Sequence, residues 1–159
     1  MCKLSSQIPD IFVWDDEEYV FLCADRVYSL FDPGTFGLHP SSSNSACWKG
    51  FVVYFALDHD RLYISKLAVN CDDGNYPVIN GVRAYFDDYD GLYVYNNLNM
   101  LSTYTGRITL GKELLPQYMF RAFTGPHSYE NTYELYFVDG QLVSWEKSTG
   151  EYTWYDWLK

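Results

Sequence analysis

The chain has 159 residues, 48% of them hydrophobic, enough apolar surface to offset chain entropy and to exclude a disordered polymer. Its formal net charge is −10, with 21 acidic against 11 basic side chains. That balance excludes a nucleic-acid backbone as partner and disfavours an anionic membrane, since both require clustered Lys and Arg. No stretch approaches the roughly 20 apolar residues of a membrane-spanning helix, and no basic segment with an apolar run opens the chain, so the expected compartment is the cytoplasm.

Residues 1–10 read as a polar lead-in ending at Pro9-Asp10. Ile11–Trp14 and Tyr19–Cys23 are apolar runs around the charged turn Asp15-Asp16-Glu17-Glu18, which predicts a β-hairpin. A further strand is predicted over Val27–Phe31, closed by the turn Asp32-Pro33-Gly34, and residues 39–45 read as an irregular loop. Cys47–Leu57 is the strongest strand of the first half. It turns at Asp58-His59-Asp60 and returns over Arg61–Val69, with Leu62, Ile64 and Lys66 on one face and Tyr63, Ser65 and Leu67 on the other.

After the connector Asn70–Asn75, a second hairpin is predicted from Val82–Phe86 through Asp87-Asp88-Tyr89-Asp90-Gly91 to Leu92–Tyr95. Thr103–Leu110 reads as a strand interrupted at Gly106, Glu113–Gln117 as a helical turn, and Tyr118–Phe123 as another strand. Tyr133–Val138 and Gln141–Trp145 flank the turn Asp139-Gly140, and residues 151–158 form an aromatic C-terminal strand. No segment keeps a helical period over three turns. Short strands with turn signals between them predict an all-β single domain, a sandwich or barrel of about ten to twelve strands.

The two halves match at an offset of about 72 residues: Trp14-Asp15-Asp16 falls on Phe86-Asp87-Asp88, Gly34 on Gly106, and Trp48-Lys49-Gly50-Phe51 on Phe120-Arg121-Ala122-Phe123. After a one-residue slip, Leu62-Tyr63 falls on Leu135-Tyr136. An ordered series of this kind predicts internal repeats over approximately 10–70 and 82–145.

The run Cys47-Trp48-Lys49-Gly50-Phe51, followed by Leu62-Tyr63-Ile64, resembles a family of small uncharacterised bacterial proteins. Their pattern is a Cys-Trp-Arg/Lys-Gly-Tyr/Phe strand and a Leu-Tyr-Leu/Ile return strand. Glu134-Leu135-Tyr136-Phe137 resembles the strand near the end of that pattern, and the likeness spans roughly residues 46–143. It implies a bacterial, cytoplasmic origin and brings no catalytic residues. Lys49 and Phe51 stand where Arg and Tyr are commoner in the family.

Several constellations are candidates for chemistry. The acidic turns Asp15-Asp16-Glu17-Glu18 and Asp87-Asp88-Asp90 supply oxygens of the kind Ca²⁺ takes, but the spaced loop with a bidentate Glu is missing. They read instead as solvated turns or as a surface for a basic protein. Glu134, with Glu113 or Glu146, is the one carboxylate pairing to weigh for glycoside hydrolysis, against a plain ion pair with a cross-strand Arg or Lys. Cys47 begins a predicted strand and His59 lies across the hairpin, where the chain reverses, so a thiol–imidazole dyad competes with a buried cysteine.

Four separated cysteines without a C-x-x-C pair predict free thiols rather than a zinc site. Lys49 and Arg121 occupy matched positions in the repeats and form a candidate ligand clamp, or else structural ion pairs. Trp154 and Trp157 in the aromatic tail are candidate anchors for a partner or a sugar. The expectation is therefore a non-enzymatic acidic protein-binding module without cofactor or metal, of the immunity or antitoxin type, that neutralises a basic toxin. A carbohydrate- or small-ligand-binding β protein is the alternative, and a small hydrolase comes third.

Overall fold

Antiparallel pairing between neighbours in sequence, driven by the aromatic and β-branched runs, builds most of the molecule. The computed structural model describes residues 8–44, 46–116 and 128–149. Among these, ten strands form one sheet: β1 (Ile11–Trp14), β2 (Glu17–Ala24), β3 (Phe51–Asp58), β4 (Arg61–Val69), β5 (Tyr85–Asp87), β6 (Leu92–Tyr95), β7 (Met100–Leu101), β8 (Gly106–Leu114), β9 (Tyr129–Val138) and β10 (Gln141–Thr149). The order β10-β9-β8-β2-β1-β3-β4 returns on itself where Gln141 of β10 pairs with Arg61 of β4. The chain is all-β, and of the two expected architectures it is a closed seven-stranded barrel. β6 and β5 continue the sheet past β4, and β7 pairs with another part of β4. Among the described strands, only β1 and β3 run parallel.

A barrel of this size is filled by its own side chains. Phe12, Phe55, Leu62, Leu67, Ile108, Leu110, Leu135 and Phe137 are all at most 2% exposed and share one cluster. Two bulges place them. In β4, Tyr54 pairs with Lys66 and Phe55 with Ile64, so Ser65 is the extra residue, and its hydroxyl donates to the Tyr54 carbonyl at 3.0 Å. The bulge resets the alternation. Leu62 and Ile64 point inward before it, Leu67 and Val69 after it. The expected face of Leu62, Ile64 and Lys66 is thereby corrected: Leu67 replaces Lys66 in the core, and Lys66 lies over the Tyr54 ring. A second bulge at Leu22 does the same in β2.

Other expectations change for local reasons. Val27–Leu30 is a helical turn (α1) rather than a strand, with Val27 and Tyr28 exposed, and Phe31 resumes extended backbone. Asp32-Pro33-Gly34 opens a 3₁₀ turn over Pro33–Phe36, capped by the Asp32 carboxylate accepting from Gly34 N–H at 3.0 Å. β3 starts at Phe51, after Gly50 takes φ +81°. Gly106 begins β8 rather than interrupting it, and Glu113 and Leu114 belong to that strand rather than to a helical turn. The predicted strands at 118–123 and 151–158 lie outside the described residues.

The offset of the proposed repeats sets Leu62-Tyr63 of β4, the second strand of its hairpin, against Leu135-Tyr136 of β9, the first strand of its own. The first hairpin, β1–β2, sits in the barrel wall, whereas β5 of the matched hairpin β5–β6 forms the outer edge of the sheet.

Candidate functional site

Three hairpins turn on two residues with positive φ: Asp15-Asp16 (53° and 62°), His59-Asp60 (50° and 61°) and Asp139-Gly140 (48° and 76°). This backbone matches strand twist and is tolerated best by Asp, Asn and Gly. Turn chemistry thus accounts for Asp15, Asp16, Asp60 and Asp139. β1 and β3 run parallel with Trp14 opposite Leu57, so the turns that follow them lie side by side. Asp15, Asp16, Asp58 and Asp60 therefore share one end of the barrel, here the lower end. β6 pairs with Leu67–Val69 at the far end of β4, so the Asp87-Asp88-Asp90 turn projects from the opposite, upper end. The two acidic turns are not one surface. Asp87 is occupied locally, accepting from Tyr89 N–H at 2.9 Å.

The lower end is closed by rings. Trp14, Tyr19, Tyr133 and Trp145 meet with centroid separations of 5.0–6.3 Å, several of them edge to face. Edge-to-face contact is the favoured geometry for such rings. Lys112 Nζ lies 4.6 Å from the Tyr19 ring and 2.6 Å from Glu17 Oε1. Glu17 is therefore tied to a cation, while Glu18 stays exposed. Burial holds the Tyr19 phenol above its ordinary pKa.

β10 forms the rim of this end. It touches β4 only through the Gln141–Arg61 pair and the Leu142 N–H donating to Asp60 O at 2.8 Å. Beyond Leu142 it pairs, among the described residues, with β9 alone. A strand edge of this kind is a template for further pairing. Its apolar residues Val143 (58%) and Trp145 (49%) remain well exposed. Neither this edge nor the neighbouring Asp58 and Asp60 stands out as a site in the sequence, because only the barrel seam and the parallel β1–β3 pair bring them together.

The remaining candidates separate. Cys47 precedes β3 and His59 follows it, so the eight-residue strand holds them roughly 25 Å apart at about 3.3 Å per residue. No dyad forms: the Cys47 thiol is buried toward Phe51 O, and His59 faces solvent beside Asp58. Cys23 and Cys71 are free thiols as well. Glu134 and Glu146 are direct cross-strand partners. Glu134 is committed to Arg107 at 3.7 Å and to the Tyr136 hydroxyl, which donates at 3.1 Å. That bond, with burial, raises the Tyr136 pKa. Glu113 instead accepts from Asn131.

Lys49 makes the ion pair foreseen as its structural role, 2.6 Å from Asp10, at the upper end. Arg121, Trp154 and Trp157 lie outside the described residues. Among the described residues, no three His, Cys, Asp or Glu side chains converge as metal ligands, and no helix is long and apolar enough to cross a membrane. Comparison with known proteins finds no matching family model, no similar curated protein and no similar solved structure.

Proposed function

We propose that this chain is a non-enzymatic binding module that docks a basic protein segment at the lower end of its barrel, as an immunity or antitoxin-like protein docks a basic toxin. The observation that carries this reading is the edge of β10 that no described strand pairs beyond Leu142, with Val143 and Trp145 exposed on it, beside the paired acidic turns at Asp15-Asp16 and Asp58–Asp60. Main-chain groups of β10 give a partner strand its hydrogen bonds, and Trp145 gives it an apolar anchor. The acidic turns steer a basic partner into place and raise its association rate. Net charge of −10 acts in the same direction. Asp87, Asp88 and Asp90 are not part of this surface, and Glu17 contributes less than Glu18 because Lys112 neutralises it.

The test is affinity capture from the native cell at low and high salt, with wild type beside a variant carrying Asp15→Asn, Asp16→Asn, Asp58→Asn and Asp60→Asn. Asn tolerates the same turn backbone, so charge is removed and conformation kept. One stoichiometric basic protein, bound at low salt, released at high salt and captured about tenfold more slowly by the variant, is the expected result. Capture that is indifferent to the four substitutions, or no basic protein at all, overturns the reading.

A further inference from the structure

The rim strand β10 carries different chemistry on its two faces, and its register fixes which groups meet a partner. The Arg107 carbonyl of β8 accepts the Asp25 N–H of β2 at 3.1 Å. Successive residues of a strand send their main-chain groups to opposite sides. Ile108 therefore faces β9, its partner Leu135 faces β8, and Glu134 faces β10. Glu146, opposite Glu134, directs its N–H and C=O to β9, so Trp145 and Lys147 direct theirs to the side that no described strand pairs. The seam agrees: Leu142 donates outward to Asp60 O at 2.8 Å, and the extra residue Val143 moves the next outward position to Trp145.

Side chains alternate along the same strand. Trp145 lies on the inner face, 5.0 Å from the Trp14 ring, and Lys147 follows it there, its ammonium 5.7 Å from the Tyr133 ring. Glu146 lies on the outer face beside Glu134. Arg107 reaches Glu134 at 3.7 Å and Asp25 at 3.3 Å, and the Tyr136 hydroxyl donates to Glu134 at 3.1 Å. Glu146 is exposed and forms no salt bridge among the described residues. An uncompensated carboxylate thus marks the outer face, and an exposed ring with a cation marks the inner one. A basic side chain is attracted on the outer face and repelled on the inner.

We infer that the strand docking on β10 is amphipathic in one register, with Arg or Lys on the face of Glu146 and apolar residues on the face of Trp145 and Lys147. Its main chain pairs with the N–H and C=O of Trp145 and Lys147, as in strand addition to a sheet edge. Opposite charges facing one another across the strands then attract at Glu146, while apolar side chains cover the Trp145 ring and the stem of Lys147. This rests on docking at the lower end, and it adds the partner's residue pattern: basic and apolar side chains in alternation, not basic charge alone.

Two end-capped peptides of one composition test it on the intact chain: Arg-Val-Arg-Val-Arg-Val-Arg-Val and Arg-Arg-Arg-Arg-Val-Val-Val-Val. Fluorescence anisotropy of the dye-labelled peptides at low salt gives the affinities. The alternating peptide should bind about tenfold tighter than its block isomer, and Glu146→Lys should weaken it about tenfold. In the free chain the amides of Trp145 and Lys147 should exchange with solvent faster than that of Glu146, and the alternating peptide should protect both. Equal binding of the isomers, no binding of the alternating peptide, or protection that spares Trp145 and Lys147 overturns the inference. The wild-type isomer pair and exchange pattern decide even if the Glu146→Lys chain does not fold. Capture of a basic partner from the native cell, with the isomers binding alike, overturns the register alone. An empty capture, with the alternating peptide bound more tightly, overturns the toxin reading alone.

Discussion

The two ends of the barrel are finished by opposite means. At the lower end, tight hairpins leave little backbone to spare, so the opening is plugged by the rings of Trp14, Tyr19, Tyr133 and Trp145, and acidic turns ring the plug. At the upper end, longer connections carrying α1 and the 3₁₀ turn lie over the strands, and the Phe side chains beneath them leave a cavity. At the filled end the rim strand β10 keeps an edge that no described strand pairs, whereas the roofed end leaves a void beneath its connections. The difference comes from loop length: two-residue turns bring strand ends together, while a longer connection has to be packed against something.

The largest expected effect lies at the barrel seam. Gly140 takes φ +76°, and a Cβ there would collide with the Ser102 carbonyl. Its own carbonyl accepts the Leu62 N–H at 2.8 Å, so it sits where β10 meets β4. Gly140→Ala should cost about 4 kcal/mol, combining backbone strain with displacement of a neighbouring strand. Urea denaturation measures it, and a loss under about 1 kcal/mol would show that the seam does not depend on that close approach.

The next effect belongs to the roofed end. Tyr95 is fully buried, donates to Pro77 O at 2.6 Å, and burial pushes its phenol up to about 12 from 10.0. A raised folded pKa means that the stabilisation is complete below pH 10, where both states are protonated, and is lost as pH climbs toward 12, because the unfolded chain ionises first. About 2–3 kcal/mol should disappear across that window. Tyr95→Phe should flatten this alkaline loss, at a cost of about 1 kcal/mol near neutrality for the missing hydrogen bond. An alkaline limb unchanged in Tyr95→Phe would assign it to other groups.

The smallest effect on stability is expected at the filled end. Trp145→Ala removes its edge-to-face contact with Trp14 at 5.0 Å, worth about 1 kcal/mol, because the ring is already half exposed. Its effect on partner capture should be larger, at tenfold or more. Thermal melting together with capture separates the two, and a variant that melts several kcal/mol lower but still captures its partner would make Trp145 a core residue rather than an anchor.

Much of this was legible in the chain. Turn residues and alternating aromatic runs marked the four hairpins that turn at Asp15-Asp16, His59-Asp60, Asp87–Gly91 and Asp139-Gly140, because strand period and turn chemistry are local properties, though β3 begins at Phe51 rather than Cys47 and β5 at Tyr85 rather than Val82. The Lys49 ion pair and the Arg107 partner of Glu134 were foreseen as residue types in search of counter-charges. Composition, charge and turn chemistry thus determined by themselves an all-β chain with acidic turns, since each depends only on neighbouring residues.

Tertiary structure alone decided the rest. The bulge at Ser65 sends Leu67 inward, the parallel β1–β3 pair sets Asp15 beside Asp58, and the Gln141–Arg61 contact closes the barrel while the rest of β10 pairs, among the described residues, with β9 alone. It also parted Cys47 from His59 by the length of β3 and placed Lys49 over a cavity rather than in a sheet. The physical reason is common to all of these: register and closure are fixed by contacts between residues far apart in sequence, and shifting a strand by one residue exchanges its inner and outer faces.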